Sequence, residues 1–312
     1  MQYLSPTTFI KFLNCEHQVK LLKIDRVLGE GHDDFQSMAM AVGIAFDIMV
    51  KSHLNRRFKA KDLLKAKVKS GNEPAILVAE SIWQHYQDGP LIELKKEGIG
   101  YGGIDQEVEI EWTEQCTRCI NDTPNITDVV GSGVCNSCSG IKTSTHRSVL
   151  YGQPDLTLTD GTVLDWKVSG AYGRGAKPID GYVRCYHNGR NTGDSGGVER
   201  RMEEIRGDWA TQTYLYARLL GHKVGDKLHA GIEYIAVSKE NDVYCCSYRN
   251  EIGSEFQVST ERKFHDAFKR LVEGNTQRPH ASERRCIQYN KLCNVADFCD
   301  GYKKLKEQGG IR

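Results

Sequence analysis

Apolar positions recur along the chain with two periods. Residues 34–56 carry Met38, Ala41, Ile44, Ala45, Ile48 and Met49 at helical spacing and predict a helix. Residues 5–24 predict a short helix entered from Ser5-Pro6, with proline at an early helical position. Residues 60–88 predict two more helices, broken at Gly71-Asn72. Period-two alternation marks residues 106–113 as a strand, and residues 147–168 read as strands joined by a turn at Asp160-Gly161. A helix over 198–220 ends at Gly221, residues 229–238 and 242–248 form a strand pair, and 254–273 predict an amphipathic helix. The polar segment 116–140, framed by cysteines, reads as an insertion. The Gly-rich stretch 169–197 reads as irregular and is too long for an ordinary connector. The tail is a cysteine-bearing loop and a short lysine-rich helix, and no internal repeat appears. This order predicts an α/β or α+β fold, a central mixed β-sheet flanked by helices.

Composition narrows the partners. The 312 residues suffice for one large domain with insertions, or for two domains. A formal net charge of +1 excludes a globally basic coat, so any nucleic-acid contact must come from local patches. No segment approaches the roughly 18 consecutive apolar residues of a membrane span. The first residues show no basic-then-apolar leader, so a soluble, cytoplasmic chain is expected.

Eleven cysteines are many for such a chain, and in a reducing compartment disulfides are not expected. Their spacing points to metal. Cys116-x-x-Cys119 and, fifteen residues on, Cys135-x-x-Cys138 have zinc-ribbon spacing and predict a closed, structural Cys₄ zinc site. Cys286, Cys293 and Cys299 cluster near the C-terminus and Cys15 stands near the N-terminus, while Cys185, Cys245 and Cys246 read as ordinary structural cysteines.

The most informative segment runs from Gly152-Gln153-Pro154-Asp155 to Asp165-Trp166-Lys167. Asp165 and Lys167 share one face of a strand and Trp166 takes the other. Hairpin register decides whether Asp155 joins them. A two-residue Asp160-Gly161 loop would pair Asp155 with Trp166. A three-residue loop, Thr159-Asp160-Gly161 with Gly161 left-handed, pairs Leu158 with Thr162 and sets Asp155 opposite Asp165. The three-residue loop is expected. Two such carboxylates suit a hard ion, Mg²⁺ or Mn²⁺, which activates water and binds a phosphate oxygen. Lys167 would orient that water or offset transition-state charge.

Pro154-Asp155 followed by Asp165-Trp166-Lys167 resembles the signature of the PD-(D/E)XK nucleases. The resemblance implies a restriction-endonuclease-like core in which Asp155, Asp165 and the Trp166 carbonyl bind the metal and Lys167 is the base or water-positioner. Gln212 and Tyr216, four apart on a helix, resemble the Q-x-x-x-Y element of the RecB-like branch, which supports the lysine or the DNA backbone. Gly43-Ile-Ala-Phe-Asp47 falls where that branch shows G-x-x-x-H, so Asp47 stands in for a histidine ligand. His53 reads as a surface histidine.

The set Cys15, Cys286, Cys293 and Cys299 resembles the iron–sulfur staple of some RecB-like nucleases and implies a [4Fe–4S] cluster. The gap of six residues after Cys286 departs from the commonest form, and zinc is the other occupant four thiolates accept.

The run from Lys51 to Lys69 holds eight basic residues and one acidic; Arg56, Arg57, Lys59 and Lys61 are candidate phosphate contacts, against a merely solvated face. The expected layout is a single nuclease domain over 1–312, with a zinc-binding insertion at 112–142 and a cysteine-bearing staple at 280–312. The expected activity is exonucleolytic hydrolysis of DNA, on single strands or ends, alongside recombination or replication proteins. The alternatives are a structure-specific endonuclease and an inactive, metal-stapled nucleic-acid-binding protein.

Overall fold

A computed structural model describes residues 3–27, 36–54, 59–102, 106–113, 145–169, 181–195, 200–238, 242–276, 286–288 and 291–309. The expected zinc cysteines, Cys116, Cys119, Cys135 and Cys138, and the basic residues Arg56 and Arg57 lie outside them.

The helices are α1 (Pro6–Asn14), α2 (Glu16–Val19), α3 (Met38–Leu54), α4 (Ala60–Lys67), α5 (Pro74–Gln87), α6 (Pro90–Glu97), α7 (Met202–Ile205), α8 (Gly207–Leu219), α9 (Ser254–Val272) and α10 (Asp300–Glu307). The strands are β1 (Ile99–Gly102), β2 (Gln106–Thr113), β3 (Thr145–Gly152), β4 (Leu156–Leu158), β5 (Val163–Ser169), β6 (Arg184–His187), β7 (Arg190–Gly193), β8 (Leu228–Val237), β9 (Val243–Ile252), β10 (Ile287–Gln288) and β11 (Lys291–Leu292).

Seven strands form one mixed sheet in the order β1-β4-β5-β8-β9-β6-β7. β5 and β8 run parallel, and the remaining neighbours are antiparallel. Strand alternation sorts side chains to two faces. Val163, Ile232, Cys246 and Tyr248 pack under α1, α8 and α9, against Phe9, Trp209, Tyr214 and Phe264. Leu164, Trp166, Ile235 and Cys245 pack on the other face under α3, α5 and α6, against Phe46, Ile82, Tyr86 and Leu91. β2 and β3 pair as a separate ladder from Gln106↔Gly152 to Thr113↔Thr145.

Several expected elements divide further. The helix expected over 5–24 breaks at Cys15, whose backbone is extended (φ −158°, ψ 99°), and continues as α2 and a π-helical turn over Lys20–Ile24. The helix expected over 198–220 breaks at extended Arg206, between α7 and α8. The stretch read as irregular contains the hairpin β6–β7, whose Asn188-Gly189 turn has positive φ at both residues, as a type I′ turn requires. α6 and β1 were not expected; Pro90 at the first turn of α6 was the available signal.

The expectation that no cysteines pair is corrected. Cys185 and Cys246 are joined, with Sγ–Sγ 2.13 Å. They are directly opposed on β6 and β9 with Cα atoms 4.1 Å apart, so strand pairing itself brings the sulfurs together.

Candidate functional site

The hairpin that carries the carboxylates has the three-residue register. The Leu158 amide donates to the Thr162 carbonyl (2.9 Å) and the Gly161 amide to the Leu158 carbonyl (3.0 Å). Gly161 is left-handed at φ +87°. Leu156 pairs with Leu164 and Thr157 with Val163, and the next step of that register sets Asp155 opposite Asp165. The Trp166 amide donates to Asp155 Oδ2 (3.0 Å), fixing that carboxylate.

β5 is anchored from behind. The Trp166 indole N–H donates to the Tyr86 hydroxyl (2.7 Å). Trp166 pairs in register with Glu233, which accepts from Ser247 Oγ (2.9 and 3.0 Å) and lies 2.6 Å from Arg249. With the indole held on one face, Asp165 and Lys167 must project from the other.

There they meet α8. Lys167 Nζ lies 2.5 Å from Asp165 Oδ2 and donates to Gln212 Oε1 (2.5 Å). Gln212 Nε2 donates to Asp165 Oδ1 (3.3 Å) and to the Tyr216 hydroxyl (2.9 Å). Gln212 therefore uses both ends of its amide to orient the acid and the lysine. From the opposite layer, α3 brings Asp47 and Lys51. Lys51 Nζ is 2.7 Å from Asp47 Oδ1 and 3.0 Å from Asp155 Oδ1. Asp47, Asp155, Asp165, Lys167, Gln212 and Tyr216 thus line one cavity of about 430 Å³, together with Lys67.

Burial sets the proton affinities. Asp165 is pushed up to about 7, first by burial and then by Asp155, with Lys167 opposing. Asp47 is pushed up to about 6 by burial and Asp155, with Lys51 opposing. Burial alone would lower Lys51, but Asp155 and Asp47 hold it well above its ordinary value. The Tyr216 phenol is raised well above its ordinary value by burial and by Asp165 and Asp155, so it stays neutral.

The donors suit a hard cation. Asp155 and Asp165 offer carboxylate oxygens, the donor type such an ion takes. Buried Asp165 Oδ2 has no donor in hydrogen-bond geometry, despite Lys167 nearby. Among the described residues, however, no three His, Cys, Asp or Glu side chains close on one metal-ligating point. Asp47 is turned onto Lys51 instead.

Lys51 is the member that sequence reasoning missed. It was counted in the basic run, yet its spacing of four from Asp47 was the available signal. Of that run, Lys59 and Lys61 are exposed, while Lys67 lines the cavity. His53 lies beside Trp83 and Lys95, and burial and then Lys95 lower its proton affinity.

Gly152, which opens the segment leading to Asp155, allows α8 to approach. A Cβ there would stand 3.0 Å from Leu219, 3.3 Å from Pro6 and 3.4 Å from the Tyr216 ring. Gly152→Val is expected to cost about 1–3 kcal/mol of stability by overpacking, read by urea denaturation.

Outside this cavity, the Cys293 thiol is pushed up by burial and then by the neighbouring Cys15, Cys286 and Cys299 sulfurs. The Cys293 amide donates to the Cys286 carbonyl (2.7 Å), and Gln18 Nε2 reaches Cys293 Sγ (3.5 Å). Leu21, Val295, Ala296 and Tyr302 pack around them. The expected staple residues are therefore neighbours, drawn from both ends of the chain, but they too do not close on one metal-ligating point.

No protein-family profile and no curated protein matches the chain. A crystal structure of a "Putative exonuclease" from Eubacterium rectale shows 12% identity and a TM-score of 0.49, over 96% of this chain and 94% of that one. At that level the likeness decides nothing about this chain's chemistry.

Proposed function

We propose that this chain is a divalent-metal-dependent deoxyribonuclease of the PD-(D/E)XK type. The observation that carries the reading is the convergence of Asp155, Asp165 and Lys167 on one face of a hairpin, lining one cavity and braced by Gln212. Asp155, Asp165 and the Trp166 carbonyl would hold Mg²⁺ or Mn²⁺. The ion would supply Lewis-acid activation of water and charge for the scissile phosphate. Lys167, held between Asp165 and Gln212 and lining the cavity, would orient the attacking water and offset charge on the phosphoryl oxygens. Neutral Tyr216, which accepts from Gln212, keeps its own proton for donation to a phosphate oxygen. Lys67, with Lys61 on the same helix and Lys59 at its N-cap, supplies positive charge for the DNA backbone.

The RecB-like reading adds exonucleolytic action on single strands or ends. It also adds a [4Fe–4S] cluster on Cys15, Cys286, Cys293 and Cys299. Soft thiolate donors suit such a cluster, and their mutual effect on Cys293 supports their grouping. Zinc on Cys116, Cys119, Cys135 and Cys138 remains part of the proposal on spacing alone. Anaerobically purified protein should contain iron and acid-labile sulfide in equal amounts, about four of each per chain. Zinc in place of iron at the Cys15 group would overturn the cluster assignment.

The decisive experiment is cleavage of end-labelled single- and double-stranded DNA with Mg²⁺ or Mn²⁺. A product ladder separates exo- from endonuclease action. Failure of metal-replete protein to cut any substrate, with tight DNA binding retained, would replace the nuclease with a binding module.

Proton competition gives this metal site a pH signature. Asp165 must be ionised to ligate, and its pKa is about 7. Mn²⁺ affinity, measured by titration calorimetry, is expected to rise by up to about tenfold per pH unit below that value and to level off above it. An affinity constant from pH 5.5 to 8 would remove Asp165 from the ligand set.

A further inference from the structure

The mechanism above leaves Lys51 without a role, although its ammonium stands among the carboxylates. It is 8% exposed and makes close contacts on several sides. Its Nζ lies 2.7 and 3.0 Å from the two Asp47 oxygens, 3.0 Å from Asp155 Oδ1 and 3.3 Å from Gln153 Oε1. Three donors are what an ammonium has, and here Asp47, Asp155 and Gln153 take them. Asp47 and Lys51 sit four apart on α3, so the helix itself holds the pair in place.

We propose that the Lys51 ammonium is a built-in cation filling the space between Asp47 and Asp155, so that the site takes one divalent ion rather than two, with Asp47 anchoring Lys51 instead of ligating the metal. The inference rests on the metal-dependent reading above and sharpens it.

Charge balance agrees. Asp47, Asp155 and Asp165 bring three negative charges when ionised, and Lys51 and Lys167 bring two positive, leaving one negative. One divalent ion makes the cluster singly positive, which a single phosphodiester neutralises. Two would leave a net charge of three positive, with the Lys51 ammonium in contact with the carboxylates that the second ion would need. Among the described residues no three acids form a metal-ligating group, and Asp47 is committed to Lys51. Lys51 is thus a positioning residue. It holds Asp155 from one side while the Trp166 amide holds it from the other, and the acid pair is set before any metal arrives.

The test is a count of bound Mn²⁺ on the full chain at pH 8, by electron paramagnetic resonance of the free ion. The thiolate groups are soft donors and do not enter the count. Wild type is expected to bind one Mn²⁺. Lys51→Ala is expected to bind two, to melt at lower temperature without divalent ions, and to recover that loss with millimolar Mn²⁺, which takes the ammonium's place. Asp47→Asn should leave the dissociation constant of the single ion within about threefold, whereas Asp165→Asn should raise it by more than the roughly tenfold that losing even an outer-shell partner costs. Two ions on wild type, one on Lys51→Ala, or loss of the ion in Asp47→Asn would each overturn the inference and leave the nuclease reading standing. If Lys51→Ala fails to fold, the wild-type count and Asp47→Asn decide. Wild type that binds no Mn²⁺ and cuts no DNA overturns both.

Discussion

Lys167→Ala is expected to reduce the single-turnover rate of DNA cleavage by about 10²–10⁴-fold, the usual range for a group that moves or positions a proton in the transition state. The fold should survive. The Lys167 side chain is 25% exposed, and its partners keep other contacts: Gln212 still donates to Asp165 and to Tyr216. Asp165 loses its counter-charge, but a buried carboxyl already held up to about 7 can take a proton instead. The loss should therefore fall on kcat, with DNA affinity changed little, because phosphate contacts elsewhere carry most of the binding. Lys167→Arg should not restore activity, since the longer, planar guanidinium aims its donors in a fixed fork and cannot put one where the ammonium stands. Cleavage, DNA binding and circular dichroism on one preparation check all of this. Cleavage within about threefold of wild type would remove Lys167 from the chemistry and with it the present reading of the hairpin.

What made the hairpin legible was a single conformational demand. Gly161 can be left-handed without strain, and that freedom selects the loop length, the register and so the meeting of Asp155 with Asp165. Local chemistry of the same kind was present at Asn188-Gly189 and passed unread, because the surrounding glycines gave the stretch an irregular look. Lys51 was harder. A lysine on a basic helix looks alike from outside whether it faces water or turns inward, and only the position of Asp155, a hundred residues on, decides the matter. The Cys185–Cys246 link has the same character, since it exists only because β6 adds to the far side of β9. Periodicity and turn chemistry are local and can be read. Which charge ends up buried beside which is set by topology.

That topology explains why the site is where it is. α3 and α8 belong to opposite layers of the sheet, and the cluster sits where both reach the β4–β5 hairpin. Each layer holds one lysine in place: Asp47 pairs with Lys51 on α3, and Gln212 of α8 accepts from Lys167 of β5. Cavity geometry therefore depends on how firmly each helix is docked.

Docking of α8 can be tested through Glu261. This α9 carboxylate is 5% exposed and accepts from the Tyr214 hydroxyl (2.7 Å), while Arg218 lies 3.2 Å and His265 Nε2 3.5 Å away. His265 in turn meets Ser148 of β3 at 2.8 Å. Glu261→Ala leaves a partly buried guanidinium and a buried imidazole facing an empty space, and is expected to cost about 3–5 kcal/mol. Burial would raise the Glu261 pKa, but His265, Arg218 and Tyr214 outweigh it and hold the group below its ordinary value. A depressed folded-state pKa gives stability that is fully present above the ordinary carboxylate range and lost as pH falls through the folded value. Wild type should lose that contribution in acid, and Glu261→Gln, which has no proton to gain, should show a flatter acid limb. Urea denaturation at pH 7 and below pH 4 reads both effects. Tyr214 and Arg218 lie on the helix that carries Gln212 and Tyr216, so a loosened α8 should also slow cleavage, with the hairpin residues unchanged. A stability loss under about 1 kcal/mol would mean that apolar packing under Trp209 and Tyr214, rather than this charged network, sets the position of α8.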